Sequence, residues 1–499
     1  MFEKSVMKRA GNVALLFAVA TTLLLFSNGK LIIAPLAWIA TAFLLRLTRT
    51  TKAWLGLPLA AAAIAGTWLA QFEGIVPVEG AVFYVIALTT GIVAILPYAL
   101  DKWLARKLPG FAATLLFPCA WVAVEHIGIV TSPYGSWGAF AYTQYGNLPL
   151  MQTAAVTGLA GIAFLAAWFA GVLNWAWEKD FVWSRVRNGA LCYAGVVLAV
   201  LAAGEASLWN APETLRVRAA AVVVDPVKLF SSDAAANRFY AGKPLTDEEL
   251  VFTRAAMKRS NALLLQKTER EAAAGAQLIA WNEAAGMAFA EDEPALIAEA
   301  AAIAKRHRAV LVLGLLRYSP GKPRPMHNKA VLIGPEGAVR FTFYKARPVP
   351  GIEEPMLEKS GSPLQVADTP YGRIGAVICF DMDFPDVVRQ AGQQRVDILV
   401  APTNEWRAIV PIHGRMGVFR AVENGTNLLR VARGLSLGAD YQGHILAESD
   451  TLYSPDRDMV VDLPVRGRAT IYARIGDAFA WLCLAGLVLL TAVALVRRR

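Results

Sequence analysis

The chain has 499 residues, of which 56% are hydrophobic and 18% charged, and its mean hydropathy is +0.42. Soluble domains are typically about 45–50% apolar and about 25% charged, so the composition excludes a wholly soluble protein and a disordered chain. With a net charge of +10 and only four cysteines, it also excludes a disulfide scaffold, and the basic charge raises the question of a nucleic-acid partner.

Apolar residues dominate the first 210 positions, whereas residues 212–470 have the composition of an ordinary globular domain. Several apolar runs approach the ~20 residues that a helix needs to cross a bilayer. The sequence predicts membrane spans at 10–27, 31–46, 54–70, 81–100, 111–130, 153–177, 189–209 and 476–496. The small residues at 18–20 resemble a signal-peptide cleavage site, but the further spans downstream favour an uncleaved anchor.

Basic residues alternate along the connections between these spans. Lys and Arg concentrate at 4–9, 46–52, 102–107, 179–187 and 497–499, while the other short connections hold Lys30 alone. Short loops rich in Lys and Arg stay cytoplasmic. The pattern therefore predicts cytoplasmic termini and an extracytoplasmic domain, and it explains the basic charge without nucleic acid. We expect a membrane domain at 1–211, a catalytic domain at 212–472, and a last span with a basic tail at 473–499.

The globular region alternates apolar strand patterns with helical patterns, which is typical of an α/β domain. Strands are predicted at 215–224, 277–281, 309–317, 329–334, 373–379, 396–401 and 427–433. Helices are predicted at 246–274, 294–307, 385–393 and 413–424.

Cys379 is the only cysteine of this domain, so it cannot form a disulfide within it. It ends a β-rich run, and Pro385 suits the first turn of the helix that follows. A thiol at a strand-to-helix turn is presented at the sheet edge, near backbone N–H groups that can hold an oxyanion. We interpret Cys379 as a nucleophile rather than as a buried core residue.

A thiol with the ordinary pKa of about 8.5 needs a base or a cation to react at neutral pH. Glu283 ends one apolar strand and Lys345 ends an aromatic strand, so the chain supplies both. Each of these charges alone is typical of a solvated strand end. Together with Cys379, in this order, they indicate a catalytic triad.

The motifs around these residues resemble the nitrilase, or carbon–nitrogen hydrolase, superfamily, whose members have an αββα sandwich and a Glu–Lys–Cys triad. The matching segments are Trp281-Asn-Glu283, Asn328-Lys-Ala-Val-Leu-Ile-Gly-Pro-Glu-Gly337, Tyr344-Lys345, Tyr371-Gly-Arg-Ile-Gly-Ala-Val-Ile-Cys-Phe-Asp381 and Pro402-Thr-Asn-Glu-Trp406. The predicted spans on both sides of the domain resemble one membrane branch of that superfamily, the bacterial apolipoprotein N-acyltransferases.

This resemblance implies two-step acyl transfer from a phospholipid, through a Cys379 thioester, to the α-amino group of a diacylglyceryl-modified apolipoprotein. Glu283 is the implied base, and Lys345 with the N–H of Phe380 is the implied oxyanion site. Supporting roles fall to Glu353, Asp381, Asn404 and Trp406. We expect no metal or other cofactor, a monomer in contact with membrane lipids, and a place in the bacterial inner membrane with the catalytic domain in the periplasm.

Three features depart from that family, and one is that its lid-loop aromatics are not evident around Gly351–Ser362. Asp381 stands where the family usually has Glu, as in soluble nitrilases, and Val222-Val-Val-Asp-Pro226 replaces an expected Gln-x-Asn run. These departures leave the triad intact and bear on the acyl acceptor.

Apolar residues that follow the Glu283 and Lys345 strands suggest an acyl entrance in loops facing lipid. They are Met287, Phe289, Met356 and Leu357. The alternative is that they only pack on the domain. Glu125 and His126, near a span end, are either functional or tie that span to residues 135–145.

The remaining motifs are weaker indications of function. The G-x-S-x-G match at 434–438 lacks the helix that a nucleophile elbow needs, and the histidines show no metal-ligand spacing. His413, just before a helix with Arg420 and Glu423, is interpreted as structural. Three alternatives stay open: a membrane-anchored amidase or nitrilase acting on a small amide, a non-catalytic receptor on the same fold, and, more weakly, a transporter.

Overall fold

The computed structural model describes residues 2–78, 80–210, 214–225, 228–358, 361, 363–454 and 458–496, with side chains from residue 11 onward. Pro226 and the basic tail at 497–499, both named above, lie outside these residues. The chain divides into two compact units. One comprises Met1–Ser132, Ser136–Asn210 and Ile475–Arg499, and the other comprises Pro133–Gly135 and Ala211–Arg474.

The first unit is helical. Before the second unit its helices are α1 (Phe2–Leu24), α2 (Ala34–Thr50), α3 (Ala53–Phe72), α4 (Ala81–Ala94), α5 (Leu96–Leu104), α6 (Leu116–Thr131), α7 (Leu148–Met151), α8 (Ala154–Thr157), α9 (Leu159–Trp177) and α10 (Trp183–Trp209). Two charges are buried within it as a pair, since Arg49 donates to both carboxylate oxygens of Asp101 at 2.6 and 2.7 Å. Glu125 accepts a hydrogen bond from the N–H of Phe140 at 2.7 Å, which agrees with the structural interpretation of that carboxylate.

Strands and helices alternate in the second unit. The strands are β1 (Arg216–Val222), β2 (Leu278–Trp281), β3 (Gly286–Phe289), β4 (Val310–Tyr318), β5 (Met326–Ile333), β6 (Val339–Tyr344), β7 (Val366–Thr369), β8 (Gly372–Ala376), β9 (Ile398–Asn404), β10 (Asn427–Arg433), β11 (Leu435–Ala439), β12 (Ile445–Asp450) and β13 (Met459–Pro464). The helices are α11 (Asp233–Tyr240), α12 (Asp247–Ala273), α13 (Glu293–His307), α14 (Pro385–Gln393), α15 (Ile412–Asn424) and α16 (Ile471–Ile475).

The chain returns to the first unit through α17 (Ala478–Val496). Of the described residues, six helical stretches are long and apolar enough to cross a membrane: Ala53–Phe72, Ala81–Lys107, Gly110–Thr131, Leu159–Trp177, Trp183–Trp209 and Ala478–Val496. The protein is therefore a membrane protein. The predicted spans at 10–27 and 31–46 overlap α1 and α2. The apolar part of α1, Gly11–Leu24, and the 17 residues of α2 are shorter than these six stretches, and the eight-span topology stays a prediction.

The second unit is built on two β-sheets. One has the order β13-β1-β2-β4-β5-β6, with β3 beside β4, and the other has the order β12-β11-β10-β9-β8-β7. Alternate side chains from both sheets meet in one apolar layer that includes Ala280, Val312, Ile374 and Val400. Because side chains alternate across a strand, their sequence neighbours point outward, and on the first sheet they pack with helices α12 and α13.

Local sequence signals explain where the helices of this unit begin and end. Thr246 and Glu249 form a reciprocal capping box at the start of α12, and Pro385 occupies the first turn of α14. Gly425 ends α15 with φ of +66°, where an added Cβ would lie 1.8 Å from the carbonyl oxygen of Arg468. Only glycine fits there, because of both the left-handed backbone and this close approach. The predicted αββα class is confirmed.

Candidate active site

The parallel strands bring polar residues to one edge of each sheet. Strands β2 and β4 are parallel, as are β8 and β9. Glu283 lies two residues after β2, Cys379 three residues after β8, and Asn404 is the last residue of β9. Lys345 follows directly after β6. The sequence predicted strand ends at Glu283, Lys345 and Cys379, whereas the strand before Asn404 was predicted to end at 401. The structure brings the four residues together.

Lys345 is the centre of this group. Its Nζ donates to Glu283 Oε1 at 2.8 Å and to Glu353 Oε1 at 2.7 Å. The side chain is only 1% exposed. Burial lowers the pKa of Lys345, but the charges of Glu283, Glu353 and Cys379 outweigh burial and hold that pKa well above its usual value. Lys345 is therefore a permanent cation at neutral pH.

Glu283 is fixed from three directions. Besides Lys345, its Oε1 accepts from Asn328 Nδ2 at 2.7 Å, and its Oε2 accepts from the backbone N–H of Asn404 at 3.0 Å. Sequence reasoning missed Asn328 as a site residue. It stands at the start of the Asn328–Gly337 motif quoted above, but between His327 and Lys329 in β5 no local signal separates it from its polar neighbours.

Cys379 is buried, and its Sγ donates to the carbonyl oxygen of Asn404 at 3.7 Å. Burial and then the charge of Glu283 raise the pKa of this thiol well above its usual value, against the opposing pull of Lys345. The resting sulfur is therefore a neutral thiol. A reaction at Cys379 must include removal of its proton.

The backbone at Cys379 is strained, with φ of +47°, in a region that residues with a Cβ adopt only at a cost of about 1–2 kcal/mol. A short 3₁₀-helix starts at this point and runs over Cys379–Asp383. The first N–H groups of a helix have no partner within it. The N–H of Phe380, the oxyanion donor implied by the resemblance, lies in the first turn of this helix.

Glu353 and Asp381 hold the loop that carries Lys345. Glu353 Oε2 accepts from the N–H of Val349 at 2.8 Å, and burial raises the pKa of Glu353 against the pull of Lys345. Asp381 Oδ1 accepts from the N–H groups of Ala346 and Arg347 at 3.1 and 2.7 Å. Burial raises the pKa of Asp381 to about 7.

Trp406 is half-buried and lies two residues beyond Asn404.

The expected acyl entrance needs a correction. Met287 and Phe289 lie on strand β3 rather than in a loop, and they are buried. Together with Met356 and Leu357 they belong to one apolar cluster around Tyr318. The expectation of a lipid-facing loop is wrong for Met287 and Phe289, because this short strand pairs with β4 and both side chains are buried in the domain. Met356 lies in a turn and is partly buried, and Leu357 is buried, so for these two residues the packing alternative fits and the acyl entrance stays a prediction.

The alternative motifs can also be placed. Ser436 lies buried on strand β11 and exchanges hydrogen bonds with the backbone of Ala432, so the G-x-S-x-G match is part of a sheet. In the part of the chain that the structure describes, no group of three or more His, Cys, Asp or Glu side chains is arranged to hold a metal ion.

Sequence comparison adds two family matches. The carbon–nitrogen hydrolase family matches residues 253–476. The apolipoprotein N-acyltransferase N-terminal domain matches residues 10–172. The two matches lie in the same chain, one on each predicted domain.

Curated relatives extend this similarity over the whole chain. The apolipoprotein N-acyltransferase of Geobacter metallireducens is 28% identical over 506 residues, covering 93% of this chain and 92% of that protein. The apolipoprotein N-acyltransferase of Gloeobacter violaceus is 26% identical over 447 residues, covering 77% of this chain and 82% of that protein. Among solved structures, an amidase from Nesterenkonia sp. is 20% identical with a TM-score of 0.42, covering 54% of this chain and 95% of the amidase.

Proposed function

The chain belongs to the apolipoprotein N-acyltransferase family and is an acyltransferase, and from this premise we propose the reaction and its residues. The enzyme moves a fatty acyl chain from a membrane phospholipid to the N-terminal, diacylglyceryl-modified cysteine of an apolipoprotein. Cys379 carries the chain between the two as a thioester. The supporting observation is the buried Lys345 ammonium between Glu283 and Glu353, beside a neutral thiol.

In the first step Glu283 accepts the proton of the Cys379 thiol while the sulfur attacks the ester carbonyl carbon of the phospholipid. The carbonyl oxygen gains negative charge, which Lys345 and the N–H of Phe380 stabilise. Donors that face a developing oxyanion in a dry site contribute several kcal/mol of transition-state stabilisation. The carbon–oxygen bond of the ester then breaks, and the lysophospholipid leaves with the proton held by Glu283.

In the second step the α-amino group of the acceptor attacks the thioester carbon. Glu283 takes a proton from the amine, and the same oxyanion site holds the charge. The carbon–sulfur bond breaks, an amide bond forms, and the sulfur recovers its proton. Asn328 and the backbone N–H of Asn404 keep the Glu283 carboxylate in one orientation throughout.

Both substrates carry acyl chains, which explains why the catalytic domain is joined to membrane helices. Withdrawing an acyl chain from lipid costs about 0.8 kcal/mol per methylene, and a membrane-anchored enzyme avoids most of that cost. We place the enzyme in the bacterial inner membrane as a monomer, with both termini cytoplasmic and residues 212–472 in the periplasm. The alternation of basic loops supports the orientation of the termini and of the catalytic domain.

Intact-protein mass spectrometry after incubation with phospholipid vesicles tests this proposal. We expect one fatty-acyl mass on Cys379, which disappears when a diacylglyceryl peptide is added and reappears on the peptide amine. Cys379→Ser is the control, and it should lack the adduct while its amount in the membrane is unchanged. If the adduct forms but water removes it faster than the peptide does, the enzyme is a hydrolase. If Cys379→Ser still forms a thioester-like adduct, the nucleophile lies elsewhere.

A further inference from the structure

Four charged side chains that the mechanism above does not use form a buried cluster, and two of them lie on the segments that carry Cys379 and Asn404. The imidazole of His413 lies between two carboxylates, with Nε2 3.3 Å from Asp383 Oδ2 and Nδ1 3.2 Å from Glu405 Oε1. Arg430 donates to the same carboxylate of Glu405, through Nη2 to Oε1 at 2.5 Å and through Nη1 to Oε2 at 3.1 Å. None of the four side chains is more than 2% exposed.

The cluster joins two segments that hold the reacting groups. Asp383 is the last residue of the short helix that begins at Cys379. Glu405 follows Asn404, whose carbonyl oxygen accepts from the Cys379 thiol and whose N–H donates to Glu283. His413, on α15, is the group that contacts both segments.

The charges of the cluster are balanced. Burial alone lowers the pKa of His413, but Asp383 and Glu405 outweigh burial and raise that pKa to about 9. Burial raises the pKa of Glu405, but Arg430 and His413 outweigh it and lower that pKa to about 2. At neutral pH the cluster therefore holds two cations and two carboxylates. Loss of the imidazolium gives these four side chains a net negative charge, in contact with the helix that begins at Cys379.

We propose that His413 is a positioning residue for the thiol: as an imidazolium it fixes the Cys379–Asp383 helix against the segment carrying Asn404, and it cancels the charge of Asp383 at the other end of that short helix. A buried ion pair by itself adds little to stability, since desolvation offsets the attraction. Breaking such a pair has a large effect, because a carboxylate stays buried without its partner. This role deepens the proposed function, which needs the thiol to lose its proton.

The test measures alkylation of Cys379 by iodoacetamide across pH 6–10, with Cys379 resolved from the other cysteines by peptide mass spectrometry. His413→Gln keeps a hydrogen-bonding side chain and removes the charge. We expect the alkylation profile to move to higher pH by up to about one unit, a roughly threefold to tenfold slower reaction at pH 7.5. His307→Gln is the matched control, because His307 pairs with Glu269 at the domain surface, and its profile should match that of the wild type.

A charge-balanced double variant separates positioning from simple loss of packing. Asp383→Asn with His413→Gln removes one negative and one positive charge, and we expect its profile to return to within about twofold of the wild type. The inference is overturned if His413→Gln leaves the profile unchanged, or if the double variant is no closer to the wild type than His413→Gln. Alkylation needs no acyl donor, so this outcome is independent of whether the acyl adduct of the proposed function is found.

Discussion

The backbone N–H of Asn404 donates to Glu283 Oε2 at 3.0 Å. The carbonyl oxygen of the same residue accepts from the Cys379 sulfur at 3.7 Å. One backbone segment at the end of β9 therefore sets the position of both the proposed base and the proposed nucleophile. Cys379 follows β8, which pairs with β9 in the same sheet, whereas Glu283 reaches this segment from the other sheet. The Glu283 contact therefore forms only when the two sheets are packed together.

Glu283→Gln keeps the shape of the side chain and removes its ability to accept a proton. General-base catalysis contributes about 10²–10⁴-fold, and we expect the rate of acyl-enzyme formation to fall by that factor. Alkylation of Cys379 should not slow, because the charge of Glu283 raises the pKa of the thiol and its loss favours the thiolate. Glu336→Gln, at an exposed pair with Arg340, is the control. A Glu283→Gln rate within tenfold of the wild type argues against the base assignment.

Lys345→Met removes the cation that separates the buried carboxylate of Glu283 from the partly buried carboxylate of Glu353. Removing one partner of a buried ion pair typically costs about 3–5 kcal/mol, so we expect a lower thermal unfolding midpoint for the purified protein. Adding Glu353→Gln should recover part of this loss, since one of the two carboxylates is then neutral. Lys305→Met, an exposed helix position, should leave the midpoint unchanged. If Lys345→Met and Lys305→Met are equally stable, the carboxylates do not depend on this cation.

Asp381 gives the protein a pH-dependent stability with a defined sign. Its pKa rises from the ordinary 3.8 to about 7 on folding, because the carboxyl group is buried. Between these values the folded protein holds a proton that the unfolded chain has released, so stability falls as pH rises. Over this interval the contribution is up to about 4 kcal/mol. We expect the thermal midpoint of the wild type to decline more steeply from pH 4.5 to 7 than that of Asp381→Asn, and parallel curves would contradict this origin.

Gly135 belongs to the second compact unit and lies against the short helix Cys379–Asp383. It has φ of +57°, and an added Cβ would lie 2.5 Å from the carbonyl oxygen of Asp383. Gly135→Ala should displace this backbone and slow acyl-enzyme formation. Gly110→Ala is a closely matched control, since Gly110 has φ of +53° and no neighbour within 4 Å of an added Cβ. We expect the folded state of Gly135→Ala to be less stable than that of Gly110→Ala by about 1–3 kcal/mol. Equal rates of acyl-enzyme formation in the two variants would contradict a role for this contact.

Much of the catalytic unit could be predicted from local sequence. The predicted strand at 277–281 and helix at 385–393 correspond to Leu278–Trp281 and Pro385–Gln393, because apolar periodicity and a proline at the first helical turn are local signals. Strand β3 was missed, because a segment of only four residues is too short for its hydrophobic pattern to distinguish a strand from a loop. Its pairing with β4, which buries Met287 and Phe289, is a tertiary contact.

The hydrogen-bond and ion-pair partners of the site residues could not be predicted either, because these contacts are also tertiary. Asn328 is 45 positions from Glu283 in the chain, and their hydrogen bond depends on the register between β4 and β5. His413 is recognisable in the sequence only as a histidine before a helix, since Asp383 and Glu405 reach it from separate segments. A motif can indicate which residues react, whereas the groups that orient them follow from the assembled sheets.

The buried, protonated state of Cys379 also affects how long the enzyme survives. Oxidation of cysteine by peroxide starts from an accessible thiolate, and the resting sulfur is neither charged nor exposed. Between catalytic cycles the nucleophile is therefore a poor target for oxidants, even though no second cysteine in the unit can rescue it as a disulfide. The same raised pKa that makes the first step depend on a base thus preserves the sulfur from irreversible damage while it waits for substrate.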